Sequence, residues 1–335
     1  MPRVESLDLF VNTPQQKMQV ANPQQSAIFE GDPLLLWRLK PNLNHAIWDF
    51  TIVSTNAQGF RADYPIVEKP AGTFRIVCLG DSVTFGYRVP SVWPDKPNDY
   101  NPEWLPFSML LEKELRKANP NRHIEVFPMA VPGYTTHQGL AWLRRDIDYL
   151  KPDVVIASFG WNDASLSDVP DRNAIDTRWS PVTIRWLIDH SQAFAHATRW
   201  LRSRGGPGAA VRTPVPRVSE SEYISNFNAI VNLARDRHTG IIVFGAPYRD
   251  SVTNPPEAQL MTRYRAALKS AMQQAQVPYL EILELTEAAG SVNEGFFGEL
   301  IHPNHMGHRL LASELLKLMA QRHLLGEMNV PEFVP

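Results

Sequence analysis

A three-layer α/β/α domain built on a central five-stranded parallel sheet is the architecture this chain predicts, on three observations. Short apolar runs at Phe74–Leu79, Ile124–Phe127, Val154–Phe159, Ile241–Phe244 and Tyr279–Ile282 alternate with helical patterns at 107–118, 136–149, 220–236, 256–275 and 304–324. Such alternation implies parallel strands joined by helical crossovers, with helices on both faces. The first run is apolar at Phe74 and at Ile76, Val77, Cys78 and Leu79, as in a strand buried on both sides. Turn residues stand at their exits, at Gly80-Asp81-Ser82, Pro132-Gly133 and Gly160-Trp161-Asn162-Asp163. The carboxyl ends of the strands are where open α/β sheets form a ligand crevice.

Taken in order, residues 1–71 predict an N-terminal extension packed on the core. Residues 1–30 are polar and rich in Gln (Gln15, Gln16, Gln19, Gln24, Gln25) and read as a loosely held arm. Residues 31–70 carry apolar clusters at Leu34–Leu39 and Ile47–Val53, expected as short strands or a clip. Asn56 and Gly59 predict a turn before Phe60, and Pro70-Ala71-Gly72 joins the extension to the first core strand. The main domain is expected over 72–325, followed by a tail at 326–335. Gly80 allows a tight turn where a Cβ would clash. Residues 90–106 carry Pro90, Pro94, Pro97, Pro102 and Pro106 with Trp93 and Trp104, and predict a stiff loop over the crevice. Residues 164–219 read as a cap-like insertion. It contains a helix at 181–203, with Ile184, Leu187, Phe194 and Trp200 as anchors, and a break at Gly205-Gly206-Pro207-Gly208.

Composition narrows the classes. The chain has 335 residues and is 44% hydrophobic, ample for a substantial core. Lys and Arg total 33 against 35 Asp and Glu. No basic stripe stands out, so nucleic acid is not an expected partner. No uninterrupted apolar stretch reaches signal-peptide or membrane-span length. As written, the chain reads as cytoplasmic; the alternative is a periplasmic or secreted protein whose leader or anchor has been removed. Cys78 is the single cysteine, which excludes an intrachain disulfide, and it is expected in the core. Nothing in the sequence specifies an oligomeric state.

A serine at a strand exit becomes a nucleophile only with a base to take its proton and donors to hold an oxyanion. Alone, Ser82 reads as a helix cap. The strand-exit segments at 80–82, 132–133 and 160–163, followed by Glu299-Leu300-Ile301-His302-Pro303-Asn304, have an order and spacing that resemble the SGNH hydrolase family, also called GDSL esterases and lipases. The resemblance covers roughly residues 72–324. The segments WRLKPN (37–42) and NAQGFR (56–61) also resemble a piece that precedes this domain in bacterial members, often found with polysaccharide-related genes.

The resemblance implies a flavodoxin-like SGNH hydrolase fold, with Ser82 as nucleophile and His302 as base and later acid. It implies an oxyanion hole formed by the backbone N–H groups of Ser82 and Gly133 and the side-chain amide of Asn162. No metal or organic cofactor is expected. Glu299 departs from the family pattern, which has Asp three residues before the histidine. Either Glu299 orients His302 in a Ser-His-Glu triad, the favoured reading, or a backbone carbonyl does so in a dyad. The G-x-S-x-G elbow of α/β-hydrolases is not matched, because Thr84 stands at the second glycine. Asp81 and Asp163 could form a carboxylate pair for glycoside cleavage, but fit better as braces for the loops. Asp81, Trp161 and Trp93 are placed on the substrate side, with a core anchor as the equal alternative for Trp161. His302, His305 and His308 form an H-x-x-H-x-x-H run. Pro303-Asn304 predicts a helix start there, and residues six apart on a helix diverge, so a metal site is not expected.

The expected function is therefore a serine esterase acting on short-chain acyl or O-acetyl esters of small molecules or carbohydrates. An O-acyltransferase acting on a sugar would use the same acyl-enzyme and is separated by an acceptor-sugar assay. A non-catalytic carbohydrate-binding protein of the same fold is favoured only by the Glu299 departure. A lipase or lysophospholipase is a further variant of the esterase reading.

Overall fold

The structure is a computed structural model describing residues 28–32, 34–91, 101, 103–167, 170–174, 214–248, 256–288 and 293–333. Residues 1–27 of the Gln-rich arm, Trp93 and most of its proline-rich loop, the expected helix at 181–203 and the glycine break lie outside the described residues; the end of the expected arm is instead built into the fold, with Ile28 buried and Phe29–Asp32 a strand.

The central sheet has five parallel strands: β1 (Thr73–Gly80), β2 (His123–Ala130), β3 (Val154–Ser158), β4 (Gly240–Phe244) and β5 (Tyr279–Leu280), in the order β5-β4-β3-β1-β2. The described helices are α1 (Ser82–Phe85), α2 (Phe107–Ala118), α3 (Thr136–Leu150), α4 (Trp161–Ala164), a short turn at Asp171–Ala174, α5 (Glu220–Arg235), α6 (Pro256–Gln274), α7 (Ile282–Ala288) and α8 (His305–Gln321). Strand side chains alternate between faces, and here both faces are apolar. Val77, Leu79, Phe127 and Val243 pack with Leu143 and Ile147 of α3 and Phe227 and Ile230 of α5. Ile76, Cys78, Val126 and Ile156 pack on the other side with Leu111 and Leu115 of α2 and Leu311 and Leu315 of α8. This is why the strands read as largely apolar runs.

Boundaries differ from the sequence reading where a physical reason exists. β2 continues past Phe127 to Ala130, paired residue by residue with β1. Pro128 is tolerated within it because β2 is an edge strand and one side of it needs no donor. At the other edge β5 is short, and Ile282 opens α7 instead of ending the strand. Leu166–Ser167 pairs antiparallel with Val215–Pro216, drawing the two ends of the insertion together.

The extension contributes two hairpins, Phe29–Asp32 with Leu36–Leu39 and Ala46–Trp48 with Thr51–Val53. Leu35, Leu39, Val53, Phe60 and Ile66 are buried in the same cluster as Val77 and Leu79. Phe60 sits edge-on to Phe127 and stacked on Trp142, at centroid distances of 5.3 and 5.5 Å. Beside it, the Arg61 guanidinium is buried and donates to four backbone carbonyls, those of Phe85, Gly86, Ile52 and Val89. Burial lowers its pKa to about 9, so it remains charged at neutral pH.

Replacing Arg61 by Met strands these carbonyls in a dry site. The expected loss is on the order of 3 kcal/mol, read as a lower urea midpoint at unchanged slope. An unchanged midpoint would mean that water replaces the guanidinium without cost.

Candidate active site

Ser82 is the first residue of α1, directly beyond β1. The sharpness of that exit excludes a side chain at position 80: a Cβ there would lie 2.1 Å from Thr84 Oγ1 and 2.8 Å from Ser158 O. The helix cap is Asp81, whose carboxylate accepts from Val83 N–H at 2.9 Å. Ser82 therefore does not spend its hydroxyl on capping. Its Oγ lies 2.7 Å from His302 Nε2.

His302 sits on a closed loop before α8. Gly298 N–H donates to His302 O at 3.0 Å, and Asn304 N–H to Phe296 O at 2.9 Å. Asn304 caps α8, accepting from Met306 and Gly307 N–H, as the sequence predicts. This turn brings the Glu299 carboxylate onto His302 Nδ1 in a short hydrogen bond. Burial raises the pKa of the Glu299 carboxyl, but the charge and hydrogen bond of His302, with help from Arg88, outweigh it and hold the pKa down at about 2. Tyr87 lies against the imidazole, ring centroids 4.4 Å apart. Its hydroxyl donates to Asp49 of the extension, and Arg88 pairs with the same carboxylate at 3.3 Å.

On the other side of Ser82, Asn162 of α4 donates from Nδ2 to Asp81 Oδ2 at 3.3 Å. Asp81 thus links the strand exit carrying Ser82 to the one carrying Asn162. Its carboxylate is spent on the bonds from Val83 N–H and Asn162 Nδ2, which tie the two strand exits together. Burial raises its pKa to about 6. Gly133 has φ +87°, in the left-handed region that glycine occupies freely. The turn after it is tied to the Asn162 segment: Thr136 donates from N–H and hydroxyl to Asp163 Oδ1, at 3.0 and 2.5 Å. Asp163 is fully buried, and burial raises its pKa to about 8.

The remaining sequence-predicted residues separate. Trp161 is a core anchor, with its indole N–H on Pro247 O at 2.9 Å. His305 stacks on Trp104 at 4.1 Å. His308 is buried, which lowers its pKa to about 3, and its Nδ1 accepts from Phe107 N–H. The three histidines thus serve three different partners. Among the described residues, no group of three or more His, Cys, Asp or Glu is gathered for a metal ion, and no helix is long and apolar enough to cross a membrane. A cleft opens on the Glu299 side of His302, lined by Tyr87, Arg88, Trp104, Glu299, Asn304 and His305. Sequence reasoning missed Asp49, Tyr87 and Arg88. Their one legible signal is the position of Tyr87-Arg88 just after the Ser82 helix.

Asp163 generates a pH prediction. Its pKa is raised from an ordinary 3.8 to about 8, so the folded state holds a proton that the unfolded state releases. Its contribution to stability is complete below about pH 4 and is lost as pH rises through 8. Asp163→Asn keeps an acceptor for Thr136 and cannot ionise. Urea unfolding from pH 5 to 8 should show the variant gaining on wild type as pH rises; a constant difference would mean that Asp163 does not titrate in this window.

The model of the GDSL-like Lipase/Acylhydrolase family matches residues 78–310. No curated protein matches the sequence. Similar solved structures include the acetylxylan esterase Axe2 from Geobacillus stearothermophilus, at 17% identity and TM-score 0.47, over 73% of this chain and 94% of that one. An α/β hydrolase, LAE5, from the metagenome of Lake Arreo matches at 18% identity and TM-score 0.48, over 76% and 98%. A GDSL-like lipase from Bacteroides thetaiotaomicron matches at 14% identity and TM-score 0.44, over 74% and 88%. Because the family match spans most of the chain, from within β1 to within α8, the protein belongs to the GDSL-like lipase/acylhydrolase family and is a carboxylic ester hydrolase.

Proposed function

We propose that the chain hydrolyses short-chain acyl or O-acetyl esters, with a carbohydrate as the alcohol, through an acyl-enzyme on Ser82. The observation that carries this reading is the continuous hydrogen-bonded chain from Glu299 through His302 to Ser82. Ser82 Oγ attacks the ester carbonyl while His302 Nε2 takes its proton. The oxyanion accepts hydrogen bonds from Ser82 N–H, Gly133 N–H and Asn162 Nδ2. His302 then protonates the leaving alcohol, and the C–O bond breaks. Water enters, gives a proton to His302 and attacks the acyl carbon, and Ser82 leaves with that proton as the acid is released. Glu299, held ionised, fixes the imidazole tautomer and stabilises the imidazolium formed in each half-reaction.

Beside the histidine, a cleft presents Tyr87 and Trp104 with Arg88 and Asn304. A cleft that mixes polar and aromatic side chains suits a sugar better than a long acyl chain. The likeness of 37–42 and 56–61 to segments found with polysaccharide-related genes supports the same class.

The test is hydrolysis of p-nitrophenyl acetate, butyrate and octanoate, and acetate release from an O-acetylated oligosaccharide. Activity should fall with acyl length and vanish in Ser82→Ala. Glu299→Gln should lower kcat by up to about 10⁴-fold, the scale of losing the orienting carboxylate in a serine triad. Asn162→Ala should lower it by about 10²–10³-fold. Wild-type turnover in Ser82→Ala would sink the mechanism, and wild-type turnover in Glu299→Gln would assign His302 orientation to a backbone carbonyl. Products carrying the acyl group on an added acceptor sugar, in place of free acid, would make the protein a transferase.

A further inference from the structure

Gly133 poses a mechanical problem for the proposed reaction. A donor for an oxyanion must point one way before substrate arrives. Yet a glycine at φ +87° has no side chain to hold its peptide units. Two side chains from distant parts of the chain take hold of them. The indole N–H of Trp37, in the first hairpin of the extension, donates to Pro132 O at 3.3 Å. The Trp37 ring lies 3.2 Å from where a Gly133 Cβ would be, and the Tyr134 hydroxyl donates to Trp37 O. Pro132 O and Gly133 N–H belong to one peptide unit, which is trans, so they point to opposite sides of it. Holding the carbonyl toward the indole holds the N–H away from it.

The next peptide unit is held from the other end. Arg217, at the close of the insertion, donates from Nη1 to Gly133 O at 2.9 Å. Its Nε and Nη2 clasp Asp171 at 3.0 and 2.9 Å, a two-pronged pairing that sets the plane of the guanidinium. Arg217 and Asp171 are both buried, and Asp171 also accepts from the Thr135 hydroxyl at 2.8 Å.

We infer that Trp37 and Arg217 are positioning residues that lock the peptides on either side of Gly133, so that its N–H faces the oxyanion before substrate binds. The extension and the insertion thereby each set part of the oxyanion hole. The inference rests on the proposed role of Gly133, and its test keeps the two apart.

Trp37→Phe removes the indole N–H and keeps an aromatic ring. Arg217→Lys keeps a charge for Asp171, but a single ammonium cannot reproduce the fork. Both are assayed on p-nitrophenyl acetate beside Ser82→Ala, with active sites counted by fluorophosphonate labelling and unfolding followed by heat. Removing an oxyanion donor outright costs roughly 10²–10³-fold in kcat. Loosening one should cost at least about tenfold per labelled site, with KM within about twofold and the pH profile of kcat/KM unchanged. That pattern in both variants supports the lock. Near wild-type kcat per labelled site in Trp37→Phe overturns it, as does a loss that tracks only lower melting or fewer labelled sites. If Ser82→Ala itself remains active, the catalytic reading fails, and the lock with it.

Discussion

The buried guanidinium of Arg61 is the constraint on which the rest of the site depends. A charge taken out of water must be repaid with hydrogen bonds or it unfolds its surroundings. Arg61 finds them in the carbonyls of Phe85, Gly86 and Val89, which are the chain leaving the Ser82 helix, and in Ile52 of the second hairpin. Its guanidinium also lies 4.7 Å over the Phe85 ring. The path from Ser82 to Val89 is therefore set by the extension. That path delivers Tyr87 to the face of His302 and Arg88 to Asp49. Nucleophile, base and extension form one mechanical unit, although they come from three separate stretches of sequence.

The carboxyl groups show how environment sets charge. Asp81 and Asp163 are buried and Glu299 is partly buried at the cleft, and their pKa values spread from about 2 for Glu299 through about 6 for Asp81 to about 8 for Asp163. Glu299 has the charge and hydrogen bond of His302 and the field of Arg88. Asp81 has only neutral donors near at hand and a more distant pull from His302. Asp163 gives one oxygen to Thr136, while its other oxygen is buried without a hydrogen-bond partner. A carboxyl so placed is most stable with its proton on. Asp81 and Asp163 spend their bonded oxygens on Val83, Asn162 and Thr136, as braces between the strand-exit loops do.

How much of this was legible follows from how far apart the partners lie in sequence. The sheet is readable because burial on two faces leaves a largely apolar run on each strand, whereas the end of β2 at Ala130 is set by its pairing with β1 and leaves no local mark. The strand exits at 80–82, 132–133 and 160–163 are legible because they carry turn residues, but the roles of Ser82, Gly133, Asn162 and His302 are legible only through the resemblance of the four segments, in order and spacing, to the SGNH pattern. The supports did not stand out. Tyr87 and Asp49 are 38 residues apart, Trp37 and Pro132 are 95, and Arg217 and Gly133 are 84. Such pairs have no period and no shared local propensity, and each reads alone as an ordinary surface or loop residue. Trp161 was ambiguous for a related reason: a tryptophan beside a site fills a wall or a core equally well until its indole partner is known.

The glutamate at position 299 draws these threads together. A longer acid in place of an aspartate can still reach the imidazole, but its extra rotatable bond weakens its control over the ring. Two compensations are present. The loop carrying both groups is closed on itself by the bonds from Gly298 to His302 and from Asn304 to Phe296, which limits where Glu299 can start from. The imidazole is also held on its face by Tyr87, whose hydroxyl is anchored on Asp49 and whose ring lies 4.9 Å beneath the Arg88 guanidinium. In the proposed triad, control of the histidine is therefore shared between a carboxylate at its edge and an aromatic ring at its face.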